Sequence, residues 1–122
     1  QEKGATPILL SLTPRNEWHV GDGHPKGFIY PVKEKKGKKY IERRNETYGS
    51  WCREVAKETG IEFVDVHNIT ANALDKKGEK KAAAYFNHDH THTSLKGAQL
   101  NAQSVADGLR DNESPAAALL KK

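Results

Sequence analysis

The apolar positions of this chain follow two periods, one of strands and one of helices. Thr6 to Leu12 (T-P-I-L-L-S-L) is almost continuously apolar, the pattern of a strand covered on both faces, as in a parallel sheet. Before it, Gln1-Glu2-Lys3-Gly4 reads as the last turn of a helix and its closing glycine. Thr13 to Pro31 is rich in Gly, Pro, Asn and Asp and predicts a loop. Phe28 to Val32 and Lys39 to Arg43 are expected to pair as a small hairpin across Lys36-Gly37. Tyr48, Trp51, Cys52, Val55 and Ala56 recur at helical spacing. They predict a helix capped by Asn45 or Thr47, running to about Thr59 and ended by Gly60. Ile61 to Val66 (I-E-F-V-D-V) predicts a short strand. A short helix over Asn68 to Leu74 and a charged turn over Asp75 to Lys81 around Gly78 follow. Thr93 or Ser94 caps a last helix with a stripe of Ala98, Ala102, Val105 and Leu109. Pro115 predicts a frayed tail beyond Asp111.

This order is an α/β pattern with parallel strands. Only two core strands are evident, and a two-stranded parallel sheet leaves both edges open. A helix end followed at once by a buried strand points the same way. The expectation is therefore a portion of a larger α/β domain over residues 1–110, with residues 111–122 as a tail.

Composition narrows the class. At 122 residues there is room for one domain. Hydrophobic residues are 35% and charged residues 30%, and no apolar run approaches the roughly 20 residues that span a bilayer. No membrane partner is expected. Gln1 to Thr6 lacks the apolar segment of a signal peptide. Cys52 is the sole cysteine, so no internal disulfide is possible, and its place in the helical stripe makes it a small apolar residue.

The net charge of +4 is unevenly spread. Lys33 to Arg44 carries seven basic and two acidic residues, so the remainder is close to neutral. Such a segment suits a polyanion. It holds one aromatic, Tyr40, and no nucleic-acid motif, so a solvated hairpin and no nucleic-acid partner are expected.

The chemistry concentrates in N-H-D-H-T-H-T-S, residues 87–94. Asp89-x-x-His92, just before a helix start, is a spacing by which serine hydrolases present acid and base. The histidine takes a proton from a serine while the aspartate fixes its tautomer. A second reading is metal binding: His88, His90 and His92 alternate, so in an extended segment all three face one side and suit a zinc ion. A third leaves these histidines as surface loop residues. Arg15 and Trp18 in T-P-R-N-E-W follow the first strand, where ligands of open α/β sheets bind. There an arginine suits a carboxylate and a tryptophan suits a sugar ring; alternatively Trp18 is buried and Arg15 pairs with Glu17 or Asp22. Asp65 and His67 end the second core strand and read as structural.

T-P-I-L-L-S-L-T-P-R-N-E-W, Y-G-S-W-C-R-E-V-A-K-E-T-G-I-E-F-V-D-V and D-H-T-H-T-S-L-K-G-A together resemble the C-terminal half of the GDSL (SGNH) hydrolases. Within them the chain is most similar to rhamnogalacturonan acetylesterase-like enzymes. The resemblance spans roughly Gly4 to Arg110, and its specific part places the family's D-x-x-H block on Asp89 and His92. It implies a three-layer α/β/α, flavodoxin-like fold with a parallel sheet. It also implies a secreted or periplasmic serine esterase that removes acetyl groups from pectic polysaccharide without a metal or other cofactor. The family's serine and oxyanion blocks lie in its N-terminal half. Gly21-Asp22-Gly23 lacks the hydroxyl of a G-D-S block, Gly49-Ser50 falls in a predicted helix, and Asn16 and Asn45 lack a G-x-N context.

The expected function is thus the C-terminal portion of a carbohydrate acetylesterase. Asp89 and His92 are its catalytic residues, and Arg15 and Trp18 line the cleft for an acetylated polysaccharide. Its partner is the serine-bearing N-terminal half of the same domain, and this portion alone is expected to be inactive. The basic segment would attract a galacturonate polymer. The alternatives are a metal-dependent hydrolase using His88, His90 and His92, and a non-catalytic polyanion-binding module.

Overall fold

The computed structural model describes residues 4–20, 37–43 and 48–120. Its first strand, β1 (Ile8–Leu10), pairs in parallel with β4 (Glu62–Val64), Ile8 opposite Glu62 and Leu10 opposite Val64. Between them in sequence come two further strands and a helix. β2 (Trp18–Val20) and β3 (Lys39–Ile41) form a second, antiparallel pair with Trp18 opposite Ile41. α1 (Ser50–Thr59) then leads into β4. It ends where Gly60 takes a left-handed φ of 70°, a conformation that costs glycine little.

After β4 the chain is helical: α2 (Val66–Lys77), α3 (Glu79–Ala82), a 3-10 turn (Ala83–Tyr85) and α4 (Leu95–Asp111). Asp65 caps α2 by accepting from the Asn68 amide at 3.1 Å, and Ser94 caps α4 by accepting from the Gly97 amide at 3.2 Å. α1 and α4 cover opposite faces of the parallel pair. The Arg53 guanidinium of α1 lies 4.9 Å from the Phe63 ring centre, whereas the next residue, Val64, clusters with Leu109 of α4. Successive strand residues point to opposite faces.

Two apolar clusters result. One joins Ile41, Ala71, Leu74, Ala82 and Phe86, with Trp18, Tyr85 and Leu100 packed against it. The other joins Val64, Val66 and Leu109, with Ile8, Ile69 and Val105 among its flanks. A buried ion pair fastens β3 to α2. Arg43, 1% exposed, donates to Asp75 Oδ2, to the Ile41 carbonyl at 3.0 Å and to Asn72 Oδ1 at 2.7 Å. Asp75 Oδ1 accepts from the Ile41 amide at 2.8 Å.

Several expectations are corrected. The stretch read as a loop contains β2, and β2 is the described partner of β3. Phe28 to Val32, Asn45 and Thr47 lie outside the described residues, and the residue preceding α1, Gly49, offers no side-chain cap. α2 runs through Asp75, placed in a turn by its charge, because Asp75 faces Arg43 rather than water. The stripe of α4 is not Ala98 and Ala102, which are exposed. Val105 and Leu109 face inward as expected, and the buried Gly97, Ser104 and Gly108 take the place of the two alanines, so small residues share the inward face with half of the expected stripe.

The tail is ordered too. Ser114 caps a 3-10 helix (Pro115–Leu119) whose first residue is the proline, a position that needs no amide donor. Ser114 Oγ also donates to Glu62 Oε2 at 2.6 Å, and Ala116, Ala117 and Leu120 pack on the second cluster.

The glycines of α4 permit close approach. A Cβ on Gly97 would lie 1.9 Å from the Tyr85 carbonyl oxygen, and one on Gly108 would lie 2.3 Å from Val64 Cγ1. Overpacking of this kind costs about 1–3 kcal/mol or more. Gly97→Ala and Gly108→Ala are each expected to lower the urea midpoint accordingly. Gly97→Ala should have the larger effect, since a backbone carbonyl cannot swing aside. Unchanged midpoints would contradict the close seating of α4.

The parallel pair leaves apolar surface in solvent. Leu10, Leu12, Tyr48, Trp51 and Val55 are exposed, Tyr48 and Trp51 at 59% and 57%. The expected stripe of α1 therefore exists, but only Ala56 of it is buried. Among the described residues β1 has no strand partner but β4, and no helix is long and apolar enough to cross a membrane.

Candidate active site

The histidine-rich segment is a closed loop between the 3-10 turn and α4. Phe86 and Thr93 form an isolated antiparallel bridge at its base. The Asn87 amide donates to the His92 carbonyl at 2.8 Å, and Asn87 Nδ2 donates to the Thr93 carbonyl at 3.2 Å. Ser94 fixes the exit: its amide donates to Tyr85 O at 3.1 Å and its hydroxyl to Ala84 O at 2.9 Å. Ser94 thus ends the loop and starts α4 with one side chain.

Asp89 organises the crest. Its Oδ1 accepts from the amides of Thr91 and His92, both at 2.7 Å, and its Oδ2 lies 2.6 Å from His92 Nδ1. The three-residue spacing makes this possible, because the carboxylate that closes the turn also meets the ring at its end. The His92 amide, then its ring, then the Thr91 amide hold the Asp89 carboxyl well below the usual carboxylate range. Its hydrogen bonds favour the ionised form. Nδ1 of His92 is thereby committed to Asp89, leaving Nε2 outward on a side chain that is 75% exposed. Among the described residues none shares a hydrogen bond with Nε2.

A pH prediction follows from the lowered carboxyl. A folded-state pKa below the unfolded value of about 3.9 means that the order contributed by ionised Asp89 is present above that value. It is lost as pH falls through the lower, folded one. The Asp89 13Cγ resonance is expected to titrate clearly below the ordinary carboxylate range. A midpoint near the ordinary value would show that the amides do not hold it.

The metal reading assumed an extended segment. Residues 88–91 bend instead, because Asp89 draws the two following amides back onto itself, so alternation no longer places three rings on one side. His90 Nδ1 lies 2.8 Å from Thr91 Oγ1 and 3.6 Å from Glu17 Oε1. Among the described residues no three His, Cys, Asp or Glu side chains converge as metal ligands.

The Asp89–His92 pair is thus exposed, hydrogen-bonded and set just before the start of α4. The chain is similar to rhamnogalacturonan acetylesterase from Emericella nidulans. The match is 26% identical over 103 residues, 84% of this chain and 35% of that protein. The chain thus spans about a third of the length of the curated relative it matches. No family model matches it.

The remaining candidates divide between a cleft and a core. Arg15 is half-buried and lines a cavity of about 60 Å³ with Leu12, Thr13, Tyr48, Gly49 and His67. It lies beyond the carboxyl ends of β1 and β4. His67 is buried, its Nδ1 3.2 Å from the Leu12 carbonyl. Burial pushes its pKa down, and the Arg43 charge adds to the effect. Trp18 is half-buried against the first apolar cluster, and its indole N–H donates to Asn16 Oδ1 at 2.9 Å. Asp65 serves as the α2 cap and takes the Arg53 guanidinium at 3.0 Å.

The basic segment is less available than its charge suggests. Lys39 pairs with Glu79 at 2.7 Å and Arg43 is buried on Asp75, while Lys33 to Lys36 and Arg44 lie outside the described residues. Two features of the site have no sequence signal. The Asn16 amide donates to the His90 carbonyl at 2.7 Å, and Glu17 faces the His90 ring. A backbone contact between distant loops is independent of side-chain type, so no pattern marks it.

Proposed function

We propose that this chain supplies the acid and base of a Ser-His-Asp triad in a carbohydrate acetylesterase of the SGNH type. The observation that carries the reading is the 2.6 Å contact of His92 Nδ1 with Asp89 Oδ2, which leaves Nε2 outward. His92 takes the proton of a serine hydroxyl as that oxygen attacks the acetyl carbonyl. It then returns the proton to the departing sugar oxygen. The same base activates the water that releases acetate from the acetyl-enzyme. Asp89, held ionised by two amides, keeps the ring in the tautomer that accepts at Nε2 and stabilises the imidazolium.

The reading places the serine and its oxyanion donors on a further segment of the same domain, packed on residues 1–110. Among the described residues β1 pairs with β4 alone, and this edge together with the exposed Leu10, Leu12, Tyr48, Trp51 and Val55 supports the reading. An unpaired strand edge beside an apolar patch is surface that folding normally covers. The completed domain would be a three-layer α/β/α fold, with residues 111–120 closing one end. The substrate class is an acetylated pectic polymer, by likeness to the curated relative. Arg15, beyond the sheet's carboxyl edge, is the residue suited to a uronate carboxylate. Such a polymer places the protein in a secreted or periplasmic setting.

The test is a fluorophosphonate probe applied to the purified protein with every polypeptide it contains, followed by peptide mass mapping. One serine is expected to carry the label, and His92→Ala is expected to stop the labelling. An unlabelled protein, or labelling indifferent to His92→Ala, would sink the reading.

A further inference from the structure

We propose that Asn16 and Trp18 are positioning residues that hold the Asp89–His92 pair in register from the loop after β1. The proposal rests on the triad reading for what the pair does, but the positioning itself is independent of it. The Asp89–His92 pair is exposed, and the bonds of Asp89 are local to its own turn. An exposed pair of this kind is not held by burial, and exposed ion pairs by themselves contribute little.

Beyond its base at Asn87 and Thr93, the loop crest meets the rest of the described protein at His90. There the Asn16 amide donates to the His90 carbonyl at 2.7 Å, and Glu17 Oε1 stands 3.6 Å from the ring. His90 lies between Asp89 and His92, so a hold on its carbonyl fixes the turn that joins acid to base.

Asn16 is in turn fixed from below. Its Oδ1 accepts the Trp18 indole N–H at 2.9 Å. Trp18 sits in β2 opposite Ile41, and it packs on the cluster of Ile41, Ala71, Leu74, Ala82 and Phe86. The Glu17 carbonyl accepts from the Glu42 amide at 2.8 Å, next to the buried Arg43. Residues 16–18 are therefore clamped to the core on one side and to the crest on the other. The indole N–H is the side-chain polar link between the two, and it gives Trp18 a positioning role. Catalytic groups must hold position closely, and a misplacement of about 1 Å costs on the order of 100-fold in rate.

The experiment uses 15N-labelled full chain and reads the imidazole resonances of His92. In the parent, a single Nδ1–H tautomer with a protected proton is expected. Trp18→Phe removes the N–H while leaving a smaller aromatic ring on the cluster, and Asn16→Ala removes the acceptor while keeping both the backbone amide and the Trp18 ring. Both should broaden the His92 Nδ1–H resonance and speed its exchange with water about tenfold or more, with thermal midpoints near the parent's. Asn16→Asp retains an acceptor oxygen and should restore the signal. Resonances in Trp18→Phe and Asn16→Ala identical to the parent's would overturn the proposal, as would a parent without the Nδ1–H tautomer. Failure of the triad reading shows elsewhere, as serine labelling that survives His92→Ala while the resonance still responds to Trp18→Phe.

Discussion

In the serine-bearing assembly of the triad reading, replacing His92 by alanine is expected to lower ester hydrolysis and serine labelling by on the order of 10⁶-fold, and Asp89→Asn by about 10⁴-fold. The two substitutions act by different routes. His92→Ala removes the proton acceptor, so the serine stays a neutral and weak nucleophile. Asp89→Asn keeps a side chain of the same shape. Yet an amide at Oδ2 can present N–H to His92 Nδ1, which favours the tautomer with its proton on Nε2, facing the wrong way. The loss should therefore appear mainly in kcat, with KM little altered, because neither group contributes to ground-state binding of the polymer. The double variant should be little worse than His92→Ala, since the aspartate acts through the histidine. Two independent, multiplying losses would show that Asp89 serves something other than His92.

The second large effect concerns stability. Arg43→Ala or Asp75→Ala should each cost about 3–5 kcal/mol, because each leaves its partner charged and buried. That is a large share of the 5–15 kcal/mol that holds typical domains together. Asp75→Ala also strands the Ile41 amide, which donates to Asp75 Oδ1 at 2.8 Å, at roughly 1–3 kcal/mol for an unpaired buried donor. Arg43→Leu with Asp75→Leu should cost less than the two single alanine losses added together, since no lone charge remains. Urea unfolding of the four proteins measures this, and single losses under about 1 kcal/mol would show that water reaches the pair. The consequence for the site is direct. β3 leads directly into Glu42, whose amide holds the Glu17 carbonyl, so a loosened β3 should free the loop that grips His90.

The contact between Asp89 and His92 was more legible than the frame around it. Asp89 and His92 could be chosen because three-residue spacing before a serine cap is a local matter, and local geometry survives into the fold. The same locality misled in one respect. Alternating His88, His90 and His92 suited a metal only if the segment stayed extended, and the Asp89 carboxylate bends it by capturing its own downstream amides. Trp18 was chosen for stacking by its type, and type alone could not show that its indole N–H donates to Asn16.

Periodicity and turn chemistry determined the parallel β1 and β4, the helix between them, its stop at Gly60 and the Ser94 cap of α4. Each depends on neighbours in sequence, through backbone conformation or a side chain reaching its own helix end. The tertiary structure decided what depends on distant residues. It paired β3 with β2, carried α2 through Asp75 because Arg43 offered that charge a buried partner, and seated α4 on its glycines rather than its alanines. It also left Tyr48, Trp51 and Val55 of the apolar α1 stripe in solvent. Amphipathic spacing tells which residues share a face, but only the surrounding structure tells whether anything covers it.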